Sequence, residues 1–123
     1  MWGGGQKIFP YEREGNVVIV KPAGDTLSVQ ERQLKKEIDA IHNLIDQKDV
    51  EHFVVDLGGA PYFGSIVIGA MMAVCGKVKD KKGRAALCNA TQGVYDSIQI
   101  MKLDTAVPYY PSRDEALAYV KSG

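Results

Sequence analysis

The segment FVVDLGGAPYFGSIVIGAMMAVC, residues 53–75, constrains the fold of this chain more than any other. Its first three residues, a β-branched and aromatic run without polar alternation, predict a strand that is covered on both faces. The glycines and the proline that follow interrupt regular structure. Ser65 stands where a helix N-cap belongs, and no residue from Ile66 to Cys75 is charged. The segment therefore predicts a strand, a tight loop, and an apolar helix capped by Ser65 that runs to Lys79.

The remaining segments alternate between strand and helix patterns. An N-terminal hairpin turns at Gly15-Asn16, and a polar helix begins at the Ser28/Glu31 capping box and ends near Lys48. A second capping box at Ser112/Glu115 begins the last helix. The full set of predicted elements has strands at 8–14, 17–21, 53–56, 85–88 and 106–109, with helices at 28–48, 65–79, 91–101 and from 112 onward.

This order, ββαβαβαβα, defines the fold class. Strands that are joined through helices form right-handed crossovers and a parallel sheet, so the pattern predicts an α/β domain. The sheet is mixed, with four to five strands, because its first two strands form a hairpin. About four helices pack against it. The polar helix carries an apolar stripe (Leu34, Ile38, Ile41 and Ile45), whereas the second helix is apolar all round and is predicted to lie deep against the sheet.

Length and composition limit the functional classes. The 123 residues suit one domain, which we expect at 8–123 after a flexible tail at 1–7. The net charge is +0, which argues against nucleic-acid binding, and the lysine-rich segment 77–84 is interpreted as a solvated helix end. The longest apolar run, 66–75, is too short for membrane insertion. With no leader pattern at the first residues, the protein is expected to be cytoplasmic.

The reactive residue types do not form a recognisable catalytic or metal-binding set. Cys75 and Cys88 lie in apolar surroundings and are predicted to be buried free thiols. His42 and His52 have no partner at ligand spacing, so surface or capping roles are expected for both. We therefore predict no metal, no cofactor and no enzymatic activity.

Taken together, the segments VVIVKPAGDTL, HFVVDLGGAPYFGS, KKGRAALCNATQGV and MKLDTAVPYYPSRDEALAYV resemble, in order, the STAS domain of bacterial anti-sigma factor antagonists. The resemblance covers roughly residues 17–120. In that family the loop after the central strand carries a serine that an anti-sigma factor, itself a serine kinase, phosphorylates. The unphosphorylated protein binds that anti-sigma factor, and the phosphate blocks the interface.

The resemblance assigns roles residue by residue. Ser65 takes the position of the phosphorylated serine, and Ile68 and Gly69 match the leucine and glycine of the family pattern. Gly64 replaces the family's aspartate, and Ile66 and Val67 replace its second hydroxyl residue and first glycine. The loop after the second predicted strand often carries an acidic residue in the family. The acidic residue of this loop is Asp25, which stands two positions earlier than in the family pattern. The implied partner surface comprises Asp25, Gly58, Gly59, Tyr62, Phe63, Gly64, Ile66, Ile68 and Gly69.

Three functions stay open at this point. The first is a regulator that binds an anti-sigma factor or related serine kinase under control of Ser65 phosphorylation, as a monomer or weak dimer. The second is a phosphorylation-independent STAS subunit of a signalling or transporter complex, which the replaced residues at 64 and 66 favour. The third is a small nucleotide- or phosphate-binding protein that uses Gly58, Gly59 and Ser65, because the segment 59–65 mimics part of a P-loop without its lysine.

Overall fold

The computed structural model describes residues 8–23 and 31–122, and the predicted order of elements is confirmed. Three predicted features lie outside these residues: Ser28 of the first capping box, Asp25, and the tail at 1–7. Two short 3-10 turns, at Leu57–Gly59 and Leu103–Thr105, complete the described structure. The strands and helices are β1 Tyr11–Glu14, β2 Val17–Val20, α1 Glu31–Ile45, β3 His52–Asp56, α2 Ser65–Asp80, β4 Ala85–Cys88, α3 Gln92–Ile100, β5 Tyr109–Tyr110 and α4 Arg113–Lys121.

The five strands form one mixed sheet in the order β1-β2-β3-β4-β5. The hairpin pair β1–β2 is antiparallel and the other three pairs are parallel. Each crossover moves one strand in the same direction, so right-handed connections place all three crossover helices on one face. The last helix, α4, packs against β3 and β4 from the other face.

Two apolar cores therefore lie on opposite sides of the sheet. The larger core joins one face of the sheet to the inner sides of α1, α2 and α3. The smaller core lies beneath α4 and contains Val17, Ile19, Val54, Ala86, Cys88, Ala116 and Val120. Because strand side chains alternate between faces, β2, β3 and β4 are buried along their whole length.

The last strand is displaced from its predicted position. It was expected at residues 106–109, but β5 pairs with β4 only at Tyr109 and Tyr110. The preceding residues are held in a turn, because the amides of Ala106 and Val107 both donate to the Leu103 carbonyl. The α1 helix likewise ends at Ile45, before the predicted Lys48.

The prediction that α2 lies deep against the sheet is wrong. Its inner side, which includes Val67, Met71 and Val74, is buried, whereas Ile66, Gly69, Ala73 and Gly76 are exposed on its outer side. Glycine and alanine count as apolar in a sequence pattern but have little side-chain surface to bury. The helix is therefore embedded on one side only, and its outer side is uncharged as far as Gly76.

The lysine-rich segment 77–84 is not simply solvated. The Lys77 ammonium lies 2.9 Å from the Asp46 carboxylate. The Lys81 ammonium donates to the carbonyls of Ile45 and Val50 at 2.6 and 2.7 Å, where the chain leaves α1. Lys77 also donates to the His42 carbonyl at 3.2 Å, so both cations satisfy carbonyl groups that the end of a helix leaves without intrahelical partners.

The sequence predicts a surface or capping role for His52, and the surface role is wrong because the residue is buried. It is 8% exposed at the start of β3, and its Nδ1 accepts a hydrogen bond from the Arg84 amide at 3.0 Å. His42 is half-buried on α1. The buried free thiols are confirmed, and burial raises the pKa of both Cys75 and Cys88 to about 12.

Within residues 8–23 and 31–122, no three histidine, cysteine or acidic side chains are grouped as metal ligands. Among the helices of the same residues, none has the length and apolar character that crossing a membrane requires.

Candidate functional site

The loop between β3 and α2 is fastened at its base by Asp56, the last residue of β3. The Asp56 side chain is 3% exposed, and one oxygen, Oδ1, accepts both the Gly58 amide at 2.9 Å and the Asn89 side-chain amide at 3.1 Å. Asn89 follows β4 directly and has a φ of +60°, a conformation that asparagine tolerates better than most residues. Asp56 therefore connects the loops that follow two neighbouring strands.

Two of the three glycines in this loop, Gly58 and Gly59, allow close approach to neighbouring chain segments. A Cβ on Gly58 would lie 2.4 Å from Asn89 Nδ2, and one on Gly59 would lie 2.7 Å from the Pro22 carbonyl oxygen. At each of these two glycines, the space that a side chain would fill is therefore already occupied by another part of the chain. This packing gives the P-loop hypothesis no support, because a P-loop uses glycine to bring its backbone close to a phosphate.

Ser65 is the first residue of α2 and not its N-cap, so the predicted capping role is wrong. Gly64 is the N-cap, with extended backbone angles of φ −71° and ψ 163°, and no side chain caps the helix. The Gly64 carbonyl accepts the first helical hydrogen bond, from the Ile68 amide at 3.2 Å. The exposed Ser65 hydroxyl is consequently not engaged in a capping bond, and the first-turn amides lack intrahelical partners.

Large apolar side chains flank Ser65. Tyr62 is 71% exposed and Ile66 is 62% exposed, whereas Phe63 is buried in the larger core. Ile68 is half-buried, and Gly69 is exposed on the outer side of the helix. The structure thus places most of the implied partner surface around one serine, while Asp25 lies outside the described residues.

A groove of about 300 Å³ lies beside Ser65, and we call it the α2–α3 groove. One wall is the segment 61–63 with the start of α2, and the other wall is α3. No lining residue is charged. The lining residues are Pro61, Tyr62, Phe63, Ser65, Ile68, Gly93, Val94, Ser97, Ile98 and Met101.

Thr91 joins the two walls of the groove at one end. Its hydroxyl caps α3 by accepting the Val94 amide at 3.5 Å, and it also donates to the Pro61 carbonyl at 3.4 Å. The same face of α3 carries Gly93, where an added Cβ would lie 3.9 Å from the Pro61 oxygen. The start of α3 and the loop before α2 therefore pack as one unit.

Sequence reasoning missed Asp56, Asn89 and Thr91, and it did not foresee the groove wall on α3. A partial signal was present, because each of these polar residues lies at or shortly after the carboxyl end of a buried strand, and the carboxyl ends of parallel strands meet at one edge. The pairing of Asp56 with Asn89 could not be deduced, since it depends on the register of β3 with β4.

No group that could activate Ser65 as a nucleophile lines the groove. His52 begins β3 and therefore lies at the opposite edge of the sheet from the loop that follows this strand. Carboxylates and imidazoles are both absent from the groove lining. The arrangement suits contact with another molecule, or modification by one, better than it suits general base catalysis.

Comparison with known proteins identifies the family. The STAS domain model matches residues 9–116, which is most of the chain, so this chain belongs to the STAS domain family. A search of curated proteins found no match.

Solved structures support the same fold. A candidate anti-sigma factor antagonist from Thermotoga maritima superimposes with a TM-score of 0.76 at 19% identity, covering 94% of this chain and 97% of that one. An anti-sigma-factor antagonist (STAS) domain protein from Planctomyces limnophilus gives a TM-score of 0.74 at 19% identity, with 92% and 97% covered. Unphosphorylated SpoIIAA, an anti-sigma factor antagonist, gives 0.73 at 17% identity, with 94% and 97% covered.

Proposed function

We propose that this protein is a regulatory binding domain of the anti-sigma factor antagonist type, which binds an anti-sigma factor or related serine kinase in the cytoplasm. The observation that carries the proposal is the placement of Ser65. Its hydroxyl is exposed at the first residue of α2, between the exposed side chains of Tyr62 and Ile66. A kinase needs such access to a serine, and exposed aromatic and aliphatic side chains are common anchors of protein interfaces.

Phosphorylation of Ser65 would act on the partner and leave the fold intact. A phosphate carries close to −2 charge at neutral pH, and the start of a helix favours an anion through its dipole and free amides. The same charge would stand within a contact surface of this chain that is otherwise uncharged. Desolvating it there is unfavourable, so we expect the phosphorylated protein to release its partner.

The test is phosphorylation by the cognate kinase. The purified protein, incubated with that kinase and ATP, should gain a phosphate that mass spectrometry locates on Ser65. The Ser65→Ala variant should gain none, and Ser97→Ala provides a matched control because Ser97 lines the other wall of the groove. Phosphate on another residue, or none from a kinase with proven activity, would show that Ser65 is not the switch.

A second candidate is a STAS subunit that binds its partner without phosphorylation. The observation in its favour is that Gly64 and Ile66, on either side of Ser65, carry neither the acidic nor the hydroxyl side chain of the family pattern. Here Ser65→Ala and Ser65→Asp should both bind the partner as the parent protein does. Under the first proposal, Ser65→Asp should bind at least tenfold more weakly in calorimetry, while Ser65→Ala should bind normally.

A further inference from the structure

Four large apolar side chains stand exposed in the described part of the chain, and three of the four lie at the α2–α3 groove. The four are Tyr62, Ile66, Ile100 and Met101, which are 71%, 62%, 80% and 50% exposed. Tyr62 and Met101 line the groove, and Ile100 lies three residues after the lining residue Ser97 on the same side of α3, whereas Ile66 lies on the outer side of α2. Exposed apolar side chains that are scattered singly need no explanation, whereas a group of them around a concave surface indicates an interaction site.

The charge distribution restricts what can bind there. Charged residues make up 24% of the chain, yet none lines the groove, and the outer side of α2 is also uncharged as far as Gly76. A charged group placed in the groove would lose water without gaining a counter-charge. The complementary surface must therefore be uncharged where it enters.

The size of the site selects the kind of occupant. The groove measures about 300 Å³, which is at the lower limit of the range of roughly 300–1,000 Å³ for small-molecule sites. A small ligand held in it would leave Ile100 exposed to water. An amphipathic helix inserts side chains one turn apart into a groove and covers the rim with the residues between them.

We infer that the α2–α3 groove binds the apolar face of an amphipathic helix from a protein partner, with two large uncharged side chains one turn apart seated between Phe63 and Ile98. This inference rests on the proposed function, since it specifies how the partner contacts the same surface. Ser65 forms part of the wall that faces the inserted side chains. A phosphate on Ser65 would therefore put charge inside the contact.

Two helical peptides can test the inference without knowledge of the natural partner. Both are alanine-based peptides with solubilising glutamate–lysine pairs; one carries two leucines four residues apart and the other has alanine at those positions. Titration of the leucine peptide into the isotopically labelled protein should give saturable amide shifts that are largest at Phe63, Val94, Ser97 and Met101. The alanine peptide should give none.

Variants on α3 provide the control. Ser97→Glu puts a charge on the exposed part of the groove wall and should weaken binding of the leucine peptide at least fivefold. Gln99→Glu adds the same charge to an exposed residue that does not line the groove, and should leave binding unchanged. Since neither peptide requires modification of Ser65, failure of the phosphorylation test would leave this experiment informative.

Three outcomes would overturn the inference. One is the absence of saturable shifts at millimolar leucine peptide. Another is a shift pattern confined to the outer side of α2, around Gly69 and Ala73. The third is concentration-dependent shifts at the groove in the peptide-free protein, accompanied by slower translational diffusion, which would assign the groove to a second copy of the chain.

Discussion

Asp56 and Asn89 show how a single polar contact organises the candidate site. The buried Asp56 carboxylate receives one donor from its own loop and one from the loop after β4. A buried carboxylate that loses a donor keeps its desolvation penalty, so such contacts matter more when they are broken than their net strength suggests. The contact requires glycine at position 58, because a Cβ would occupy the space of the asparagine amide.

We therefore expect Gly58→Ala to destabilise the protein by about 1–3 kcal/mol, because the buried Asp56 carboxylate would keep the Gly58 amide but lose the Asn89 donor. The added Cβ would lie 2.4 Å from Asn89 Nδ2 and force that side chain away. Urea unfolding at neutral pH measures the change in free energy of unfolding.

Gly69→Ala is the matched control for this substitution. Nothing lies within 4 Å of a Cβ at position 69, which is an exposed position in the middle of α2. Alanine there should therefore stabilise the protein by about 0.5–1 kcal/mol. Equal effects of the two substitutions would show that the loop tolerates a side chain and that the Asp56–Asn89 contact is unimportant.

His52 should make stability depend on pH. Burial is the largest cause that lowers the pKa of His52 below 6.5, because it disfavours the charged ring. The unfolded chain then binds this proton at higher pH than the folded one. The stabilisation that His52 contributes is therefore fully present above about pH 6.5. It is lost as the pH falls from 6.5 through the lower pKa that His52 has in the folded state.

The measurement compares urea unfolding at pH 7.5 and pH 5.5 in the parent protein and in His52→Asn. An asparagine oxygen can accept the Arg84 amide where Nδ1 does, but it does not titrate. We expect the parent protein to lose more stability on acidification than the variant. If both lose the same amount, the pH dependence arises from other groups.

At the scale of the element, the sequence predicted helices and strands well and their surroundings less well. The order of elements and the bounds of β4 follow from local patterns that do not depend on the rest of the fold. The exposure of one side of α2 does not follow from local patterns, because it depends on how much of the sheet α1 and α3 already cover. The displaced β5 similarly reflects a turn at 103–105 that holds Ala106 and Val107 out of the sheet.

The chain at the end of α1 is held by a cation from another element, so substitution of that cation tests how much the contact contributes to stability. Lys81 donates to three carbonyls, those of Ile45, Gln47 and Val50. Lys81→Met keeps most of the aliphatic chain and removes these donors, so we expect a loss of about 1.5–3 kcal/mol, typical of hydrogen bonds to a charged group.

Lys48→Met serves as the control for Lys81→Met, since Lys48 is exposed in the turn after α1. Surface substitutions of that kind change stability by about 0.5 kcal/mol or less. Thermal unfolding of both variants gives the comparison. A Lys81→Met variant as stable as Lys48→Met would mean that solvent replaces the ammonium group at those carbonyls.

At the scale of the whole molecule, the two faces of the sheet are covered unequally. Three helices cover one face, whereas the nine-residue α4 covers the other. Cys75 lies in the larger core and Cys88 in the smaller one, so each thiol reports on one layer. The α4 helix buries only Ala116 and Val120, whereas α2 alone buries five residues, and an element that buries few side chains opens more readily than the central core.

We expect Cys88 to react with a thiol reagent at least tenfold faster than Cys75 under native conditions, because α4 can detach while the three-helix layer stays closed. The single-cysteine variants Cys75→Ala and Cys88→Ala allow the two rates to be measured separately at pH 8. In urea-unfolded protein both thiols should react equally fast. Equal protection in the native protein would instead show that the two layers unfold together.

The sequence by itself determined the element order, the mixed α/β sheet, the buried thiols and the position of Ser65 after the central strand. These follow from hydrophobic periodicity and from turn residues, which act over a few neighbouring positions. Only the tertiary structure decided that Gly64 caps α2, that His52 is buried, and that Asp56 meets Asn89. It also created the α2–α3 groove, because a groove has two walls and its walls here are separate segments of the chain.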